Sequence, residues 1–414
     1  MLAAVFCVLF GLSLLPGRKP LCLKFAERIS NGIMPEGAIE YCLRLTWVWF
    51  FILLALTVSN LVCFVVAMDE PRWGWAIRLA PSVYAIIIIP LVFLIEGRVR
   101  RRRFEVVFHT SGSTGKSKTI IKPFETLAKE VAMHRAYYRA RFPKLNPKDL
   151  VFLGTVQWDH MLGKLWMDML PKAMGVEADS EVIGAPEVLI AKMRLSKRVF
   201  LVTTPSFLER FTIYADQYEV PKNCIEIVTS GARLKPEVAE RAERIFGVRP
   251  RQIFGSTETG GVAWMREREI AEVFEPVKVE VVDGRLLVKS PFSFRRKYLM
   301  GDGVELAPDK RSFKLLGRMD RLVKINEERV NLAEMETKVV ALGFKEAALV
   351  KLEGERGAYL GLVVAGEAKP SLEMRKLLLP VFPRGTVPRK FRFVSEIPKN
   401  PQGKVLASEI VQMF

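Results

Sequence analysis

Histidine is nearly absent from the chain: His109, His134 and His160 are the three among 414 residues. Their wide spacing argues against a zinc centre built on imidazole ligands. Cysteine is scarce as well. Of five cysteines, Cys7, Cys22, Cys42 and Cys63 fall in the first hundred residues and only Cys224 lies beyond them. There is no Cys-x-x-Cys pair and no disulfide framework, which suits a reducing compartment for the later part of the chain. Internal repeats, low-complexity linkers, zinc-finger spacings and aromatic RNA-binding motifs are missing too. That weighs against a nucleic-acid partner, which a net charge of +18 would otherwise suggest.

The positive charge has a different explanation in its placement. Its densest run, Arg98 and Arg100 to Arg103, directly follows an apolar segment, where basic residues mark the cytoplasmic flank of a membrane helix and favour anionic headgroups. Hydrophobic residues form 50% of the chain but crowd into its first hundred positions. Three stretches there, about 2–16, 45–68 and 76–96, read as membrane helices, the first of marginal length. Trp47 and Trp49 would sit at an interface, and Arg78 would snorkel. Arg18, Lys19, Lys24 and Arg28 between the first two stretches suit a cytoplasmic loop. Residues 1–103 are therefore expected to form a multi-pass anchor, in a bacterial inner membrane, with everything after them cytoplasmic.

From about Phe104 the pattern changes to alternating strand-like and helix-like segments, the mark of an α/β body. Val106 to Phe108 reads as a strand feeding a loop, Thr110-Ser111-Gly112-Ser113-Thr114-Gly115-Lys116-Ser117-Lys118. Two glycines let backbone approach an anion, the hydroxyls supply neutral donors and the lysines supply positive charge. Gly112 and Gly115 stand too close together for the Gly-x-x-x-x-Gly-Lys-Ser/Thr loop of P-loop hydrolases. Phe124, Leu127, Val131 and Tyr138 then recur at helical spacing, with His134 beside that stripe as a packing residue. Short apolar strands are expected at Val151–Leu153, Val199–Val202, Ile225–Val228 and Gln252–Phe254, where open α/β sheets place ligands at the strand ends.

Five more stretches carry polar chemistry. Ser230-Gly231-Ala232 follows one strand and Phe254-Gly255-Ser256-Thr257-Glu258-Thr259-Gly260-Gly261 follows the next. A carboxylate among hydroxyls beside a triphosphate is a reasonable magnesium ligand, because Mg²⁺ takes hard oxygen ligands and shares them with phosphate. Tyr298-Leu299-Met300-Gly301-Asp302-Gly303 places an aspartate where ribose hydroxyls could donate to it. Gly317-Arg318-Met319-Asp320 and Pro398-Lys399-Asn400-Pro401-Gln402-Gly403-Lys404 complete the set.

These motifs, in this order, make residues 104–414 resemble the acyl-adenylate-forming superfamily of acyl-CoA synthetases and adenylation domains. The resemblance implies an α/β adenylate-forming body, residues 104–317, and a small α+β C-terminal lid, residues 318–414, preceded here by about three transmembrane helices. It implies that Thr110, Ser111, Gly112, Ser113, Thr114, Gly115, Lys116 and Lys118 hold ATP phosphates. Thr257 would contact phosphate, Glu258 would hold Mg²⁺ and Asp302 would bind ribose. Gly231, Ala232, Phe254 and Gly255 would line the nucleotide and acyl pocket, with His160 bordering the carboxylate being activated. In the lid, Asp320 matches the hinge, Arg318 and Arg329 the nucleotide-contacting arginines, and Lys404 the lysine that bridges carboxylate and phosphate.

The implied reaction joins a fatty, hydroxy-fatty or aryl acid to AMP and passes it to the thiol of CoA or an acyl carrier protein. Two positions depart from the family pattern: Ser117 replaces a usual proline, and Glu327 a usual glycine facing the thiol channel. Relatives also carry a substantial soluble segment before the phosphate loop, where this chain has membrane helices. The alternative reading is a nucleotide-binding membrane scaffold or partner of a complete ligase.

Overall fold

The computed structural model describes the chain except at positions 1, 31, 70–73, 112–116, 267–269, 327, 355–356, 384 and 400–404. The side chains at 69, 78, 81, 110, 111, 117, 216, 320, 322 and 329 also lie outside the description. Two compact units result: one made of 1–106 and 121–143, the other of 107–120 and 144–414.

The first unit opens with α1 (Leu2–Ser13), α2 (Leu21–Ile29), α3 (Ala38–Asp69) and α4 (Gly74–Arg103). α1, twelve residues long, reaches about 18 Å at 1.5 Å per residue, well short of the ~30 Å hydrocarbon layer. Two helices rather than three are therefore long and apolar enough to cross a membrane among the described residues, α3 and α4. Only 17% of the most apolar stretch of α3 is buried, and none of that of α4. Phe51, Leu61, Ile86 and Ile87 stand out from the helix surfaces.

The bundle has one polar end. The Cys22 amide donates to the Thr46 hydroxyl at 3.3 Å, and Tyr41 donates to Glu96 at 3.3 Å. These contacts put α2, the start of α3 and the end of α4 at one level. Lys24 and Arg28 of α2 thus share an end of the bundle with the arginine run that closes α4.

After α4 come β1 (Glu105–Ser111) and β2 (Ser117–Pro123), which pair as a two-stranded ribbon, and then α5 (Phe124–Arg141). Of the stripe expected along α5, Leu127, Val131 and Tyr138 are buried with His134 beside them, while Phe124 is half-buried.

The second unit continues through β3 (Leu150–Gly154), α6 (Met161–Gly163), a π-type stretch at Lys164–Met169, α7 (Leu170–Met174), β4 (Glu177–Val182), α8 (Pro186–Leu195), β5 (Arg198–Thr203), α9 (Pro205–Tyr214), β6 (Cys224–Thr229), α10 (Pro236–Phe246) and β7 (Arg251–Ser256). β4, β3, β5, β6 and β7 lie side by side and parallel. Near-continuous Val/Ile/Leu/Phe runs suit strands covered on both faces. Pro186, Pro205 and Pro236 each start a helix at the turn where a missing N–H costs nothing. The helices bury Leu189, Met193, Phe207, Phe211, Val238 and Phe246 against Leu153, Leu201 and Ile227 of the sheet.

From β7 the sheet turns antiparallel through β8 (Gly260–Met265), β9 (Ile270–Val273), β10 (Lys278–Val282), β11 (Arg285–Lys289), β12 (Tyr298–Leu306) and β13 (Ser312–Arg318). The eleven strands run in the order β10-β11-β12-β13-β9-β8-β7-β6-β5-β3-β4. A smaller α+β region follows: β14 (Leu322–Ile325), β15 (Glu328–Asn331), α11 (Leu332–Ala341), β16 (Glu346–Leu352), β17 (Tyr359–Ala365), α12 (Ser371–Leu378), β18 (Lys390–Val394) and α13 (Ala407–Val411). The β16-β17-β18 sheet packs α11 and α12 on one face and α13 on the other.

Candidate nucleotide site

The loops that carry chemistry leave the same edge of the sheet. His160 follows β3, Ser230-Gly231-Ala232 follows β6 and Thr257-Glu258 follows β7, all at carboxyl ends of parallel strands. That edge is where open α/β sheets form their ligand crevices. The Thr155 and Thr203 hydroxyls, 2.8 Å apart, tie β3 to β5 there.

The turn bearing Thr257 and Glu258 is locked by its neighbours. The Ser256 amide donates to the Thr259 hydroxyl at 3.1 Å, the Thr259 amide to the Ser256 hydroxyl at 3.2 Å, and the Thr259 hydroxyl to the Gly260 carbonyl at 2.8 Å. Gly255 has no alternative: a Cβ there would lie 2.3 Å from the Gly260 carbonyl oxygen. From outside the turn, the Ser293 hydroxyl and the Phe294 amide each donate to the Glu258 carbonyl at 3.1 Å. Glu258 is thus held by its backbone, leaving its carboxylate to face Tyr298. Burial first, and then that carboxylate as neighbour and hydrogen-bond partner, push the Tyr298 phenol above its ordinary range.

Tyr298 begins β12, and Asp302 sits four residues on in the same strand, directly opposite Arg318 of β13. The Arg318 guanidinium approaches the Asp302 carboxylate at 3.9 Å and lies over Gly301, where a Cβ would come within 2.9 Å of its Nη2. Gly301 is therefore what leaves room for the arginine. Asp302 is mostly buried while Arg318 is half exposed, so the pair presents one sheltered acceptor beside one partly solvated cation.

Ser230-Gly231-Ala232 is tied down by residues that sequence reasoning passed over. The Ser230 hydroxyl donates to the Ile253 carbonyl at 3.0 Å. The Gln252 amide donates to the Ala232 carbonyl and accepts from the Leu234 amide at 3.0 Å. Gly231 takes the left-handed conformation, φ +95°, that this crossing needs. Gln252 had a visible signal: a polar residue at the start of an apolar strand, next to a glycine loop.

Asn331 is a second such residue. Its side chain donates to the Leu316 carbonyl at 3.0 Å and accepts from the Ala333 amide at 3.0 Å, so it joins the end of β13 to the start of α11. Arg321 pairs with Glu336, which also accepts the Leu349 amide at 2.6 Å.

His160 opens α6, two-thirds covered, with Nε2 4.0 Å from Asp159. Its strand, β3, lies three places from β7 in the sheet. Lys118 is exposed on β2. Gly112, Ser113, Thr114, Gly115, Lys116, Glu327 and Lys404 lie outside the described residues, as do the side chains of Thr110, Ser111, Asp320 and Arg329. Among the described residues no three His, Cys, Asp or Glu side chains converge on a metal position. A lone Glu258 beside hydroxyls fits an ion that takes most of its oxygen ligands from phosphate and water, as Mg²⁺ does.

Comparison with known proteins adds to this geometry. A profile of the AMP-binding enzyme family matches residues 97–288. A 4-coumarate–CoA ligase from Cereibacter sphaeroides is 28% identical over 302 residues, covering 72% of this chain and 69% of its own length. A 4-chlorobenzoate–CoA ligase from a Pseudomonas species is 25% identical over 352 residues, covering 74% of this chain and 65% of its own. Among solved structures, ATP-bound MatB from Rhodopseudomonas palustris superposes with a TM-score of 0.64 at 18% identity, over 74% of this chain and 67% of that one. O-succinylbenzoate coenzyme A synthetase from Bacillus subtilis, in complex with ATP and magnesium, gives 0.61 at 15%, over 74% and 69%. These likenesses show the fold. The chain spans about two thirds of the length of the relatives it matches.

Proposed function

We propose, on the premise that this chain is an AMP-binding enzyme of the AMP-forming acid–CoA ligase type, that it makes an acyl-AMP from ATP and a carboxylic acid at a membrane surface. The acyl group then passes to the thiol of coenzyme A, or of an acyl carrier protein. One observation carries this reading: the Phe254–Gly261 turn sets Glu258 against Tyr298 in the strand that also presents Asp302 opposite Arg318.

In this reading Asp302 accepts hydrogen bonds from ribose hydroxyls, and Arg318, half exposed beside it, contacts the nucleotide. Gly231 and Ala232, pinned by Ser230 and Gln252, border the adenine and the acid, and His160 borders the acid carboxylate. Thr257 and residues 110–118 grip the phosphates. Mg²⁺, held by Glu258, would neutralise phosphate charge when bound. A carboxylate oxygen of the acid attacks the α-phosphorus, the bond to pyrophosphate breaks, and Lys404 offsets the charge that builds up. Residues 318–414 act as the lid that delivers and withdraws Lys404 around the hinge at Asp320.

The acid is fatty, hydroxy-fatty or aryl. The aryl class has the support of the two relatives' names. Location at a bilayer has the support of α3 and α4, whose apolar faces are left uncovered. The arginine run would hold the body on the cytoplasmic side of a bacterial inner membrane. A second reading, a nucleotide-binding scaffold, is favoured by membrane helices standing directly before β1.

The test is pyrophosphate release by detergent-solubilised full-length protein across a panel of acids. Acid-dependent release that falls about 100-fold in Lys404→Ala is expected for a group acting on transition-state charge. ATP binding without acyl-AMP from any acid would favour the scaffold.

A further inference from the structure

α2 has nine residues, too few to hold a helix in water by themselves. One side of it is covered by the bundle, where Leu23 is buried and Ala26 and Glu27 are half-buried. The rest faces outward in two stripes of residues four apart, which stand one above the other on a helix. Leu21, Phe25 and Ile29 form an apolar stripe, with Phe25 55% and Ile29 80% exposed. Lys24 and Arg28, both exposed, form a cationic stripe beside it. The start of the helix is pinned. The Leu21 amide donates to the Ser13 hydroxyl at 3.1 Å and the Cys22 amide to the Thr46 hydroxyl at 3.3 Å. One turn beyond Thr46, a Cβ on Gly11 would meet the Phe50 ring at 3.0 Å, so the end of α1 packs there too. Three carboxylates at this end of the bundle are already taken: Glu27 by Lys19 at 3.0 Å, Glu40 by Arg44 at 2.5 Å and Glu96 by Arg100 at 3.2 Å. Lys24, Arg28, Arg98, Arg101 and Arg102 form no ion pair among the described residues, which leaves an excess of positive charge.

We propose that α2 lies in the membrane interface as a binding surface for anionic phospholipid. Its Leu21–Phe25–Ile29 stripe enters the acyl chains, and its Lys24–Arg28 stripe, with the arginines that close α4, takes the phosphates of the headgroups. This rests on the membrane location proposed above. A helix face that is apolar along one stripe and cationic along the next is complementary to the boundary between acyl chains and anionic headgroups. The apolar stripe also continues a larger surface, since the apolar faces of α3 and α4 are uncovered as well. α1 adds to it. Its exposed Val5, Phe6, Val8 and Leu9 belong in hydrocarbon, yet the helix is too short to cross, so α1 and the helix bonded to its end enter the same leaflet. The stretch between the first two apolar runs is then a lipid contact rather than a plain cytoplasmic loop, and the anchor selects its lipid as well as holding the chain.

The experiment uses full-length protein in nanodiscs of phosphatidylcholine, with or without phosphatidylglycerol. One readout is the lipid retained on release from the disc, counted by native mass spectrometry; the other is hydrogen exchange in peptides covering 21–29. Wild type should retain phosphatidylglycerol in preference to phosphatidylcholine, and exchange at 21–29 should slow when phosphatidylglycerol is present. Lys24→Gln combined with Arg28→Gln should cut that preference about tenfold, whereas Lys24→Arg combined with Arg28→Lys should keep it. Phe25→Ser combined with Ile29→Ser should speed exchange at 21–29 in both mixtures, while unchanged exchange in β5 reports an intact body. Equal retention of the two lipids by wild type, or a glutamine variant as selective as wild type, would overturn the proposal. So would displacement of the retained lipid by excess inorganic phosphate, which would assign the cations to a free anion. Protein recovered outside the membrane fraction would sink the membrane reading and this inference together, whereas an anchored protein without lipid preference would sink this inference alone.

Discussion

α3 and α4 are built from the same residues as β3, β5 and β6, chiefly leucine, isoleucine, valine and phenylalanine, yet treat them in opposite ways. Phe200 of β5 is 1% exposed and stacked on Phe152 with centroids 4.3 Å apart, whereas Phe51 of α3 is 57% exposed and Ile86 of α4 72%. Burial in the body removes apolar surface from water through partners in the same chain. Over most of the described surface of α3 and α4 the apolar side chains are left uncovered, the pattern of helices whose burial comes from outside the chain. Hydrophobicity sets how much surface must be hidden, and topology sets what hides it.

Substitutions that treat the two regions alike break this comparison most clearly. Phe200→Ala should cost about 4 kcal/mol of body stability, the usual loss for a large core aromatic, whereas Phe51→Ala should leave the body's denaturant midpoint unchanged. Equal shifts would mean that α3 is a core helix. Ile87→Lys, near the middle of α4, should oppose membrane insertion by about 3 kcal/mol, read as loss of protein from the membrane fraction, with no change in the fold of the body. Gly255→Ala sharpens the contrast from the body's side. Its Cβ would meet backbone, so acid-dependent pyrophosphate release should fall about 100-fold while the membrane fraction stays as it was.

The smallest effect concerns pH. Burial holds the Glu336 carboxyl above its usual range, against the pull of Arg321. Its contribution to stability is therefore largest below the ordinary carboxylate pKa and fades as pH rises through the raised value. Glu125 behaves oppositely. Its hydrogen bond to Lys129, opposed by burial and helped by Arg100, lowers its pKa, so its contribution is present above the ordinary value and is lost as pH falls through the lowered one. In thermal unfolding between about pH 6 and pH 3, Glu125→Gln should flatten the acid-side loss and Glu336→Gln should not.

The opening strand, the stripe on α5 and the four short strands were legible because period and composition are local properties. The positions expected for strands at 151–153, 199–202, 225–228 and 252–254 all fall inside β3, β5, β6 and β7. The apolar stretch at 2–16 was less legible, since an apolar run does not say where its helix stops: α1 ends at Ser13, whose hydroxyl accepts the Leu21 amide. The distant partners of Gln252, Ser293 and Asn331 were illegible for a different reason. Each side chain bonds a backbone group well away in sequence, and nothing near it reports that partner.

Sequence alone determined the apolar character of the first hundred residues, the α/β alternation after them and the order of the glycine-rich and acidic motifs, because each depends on residues adjacent along the chain. Only the tertiary structure decided that Glu258 meets Tyr298, that Arg318 lies over Gly301 beside Asp302, and that Tyr41 of α3 meets Glu96 of α4. Those are distances between segments tens of residues apart, fixed by strand order and helix packing, which no local pattern encodes.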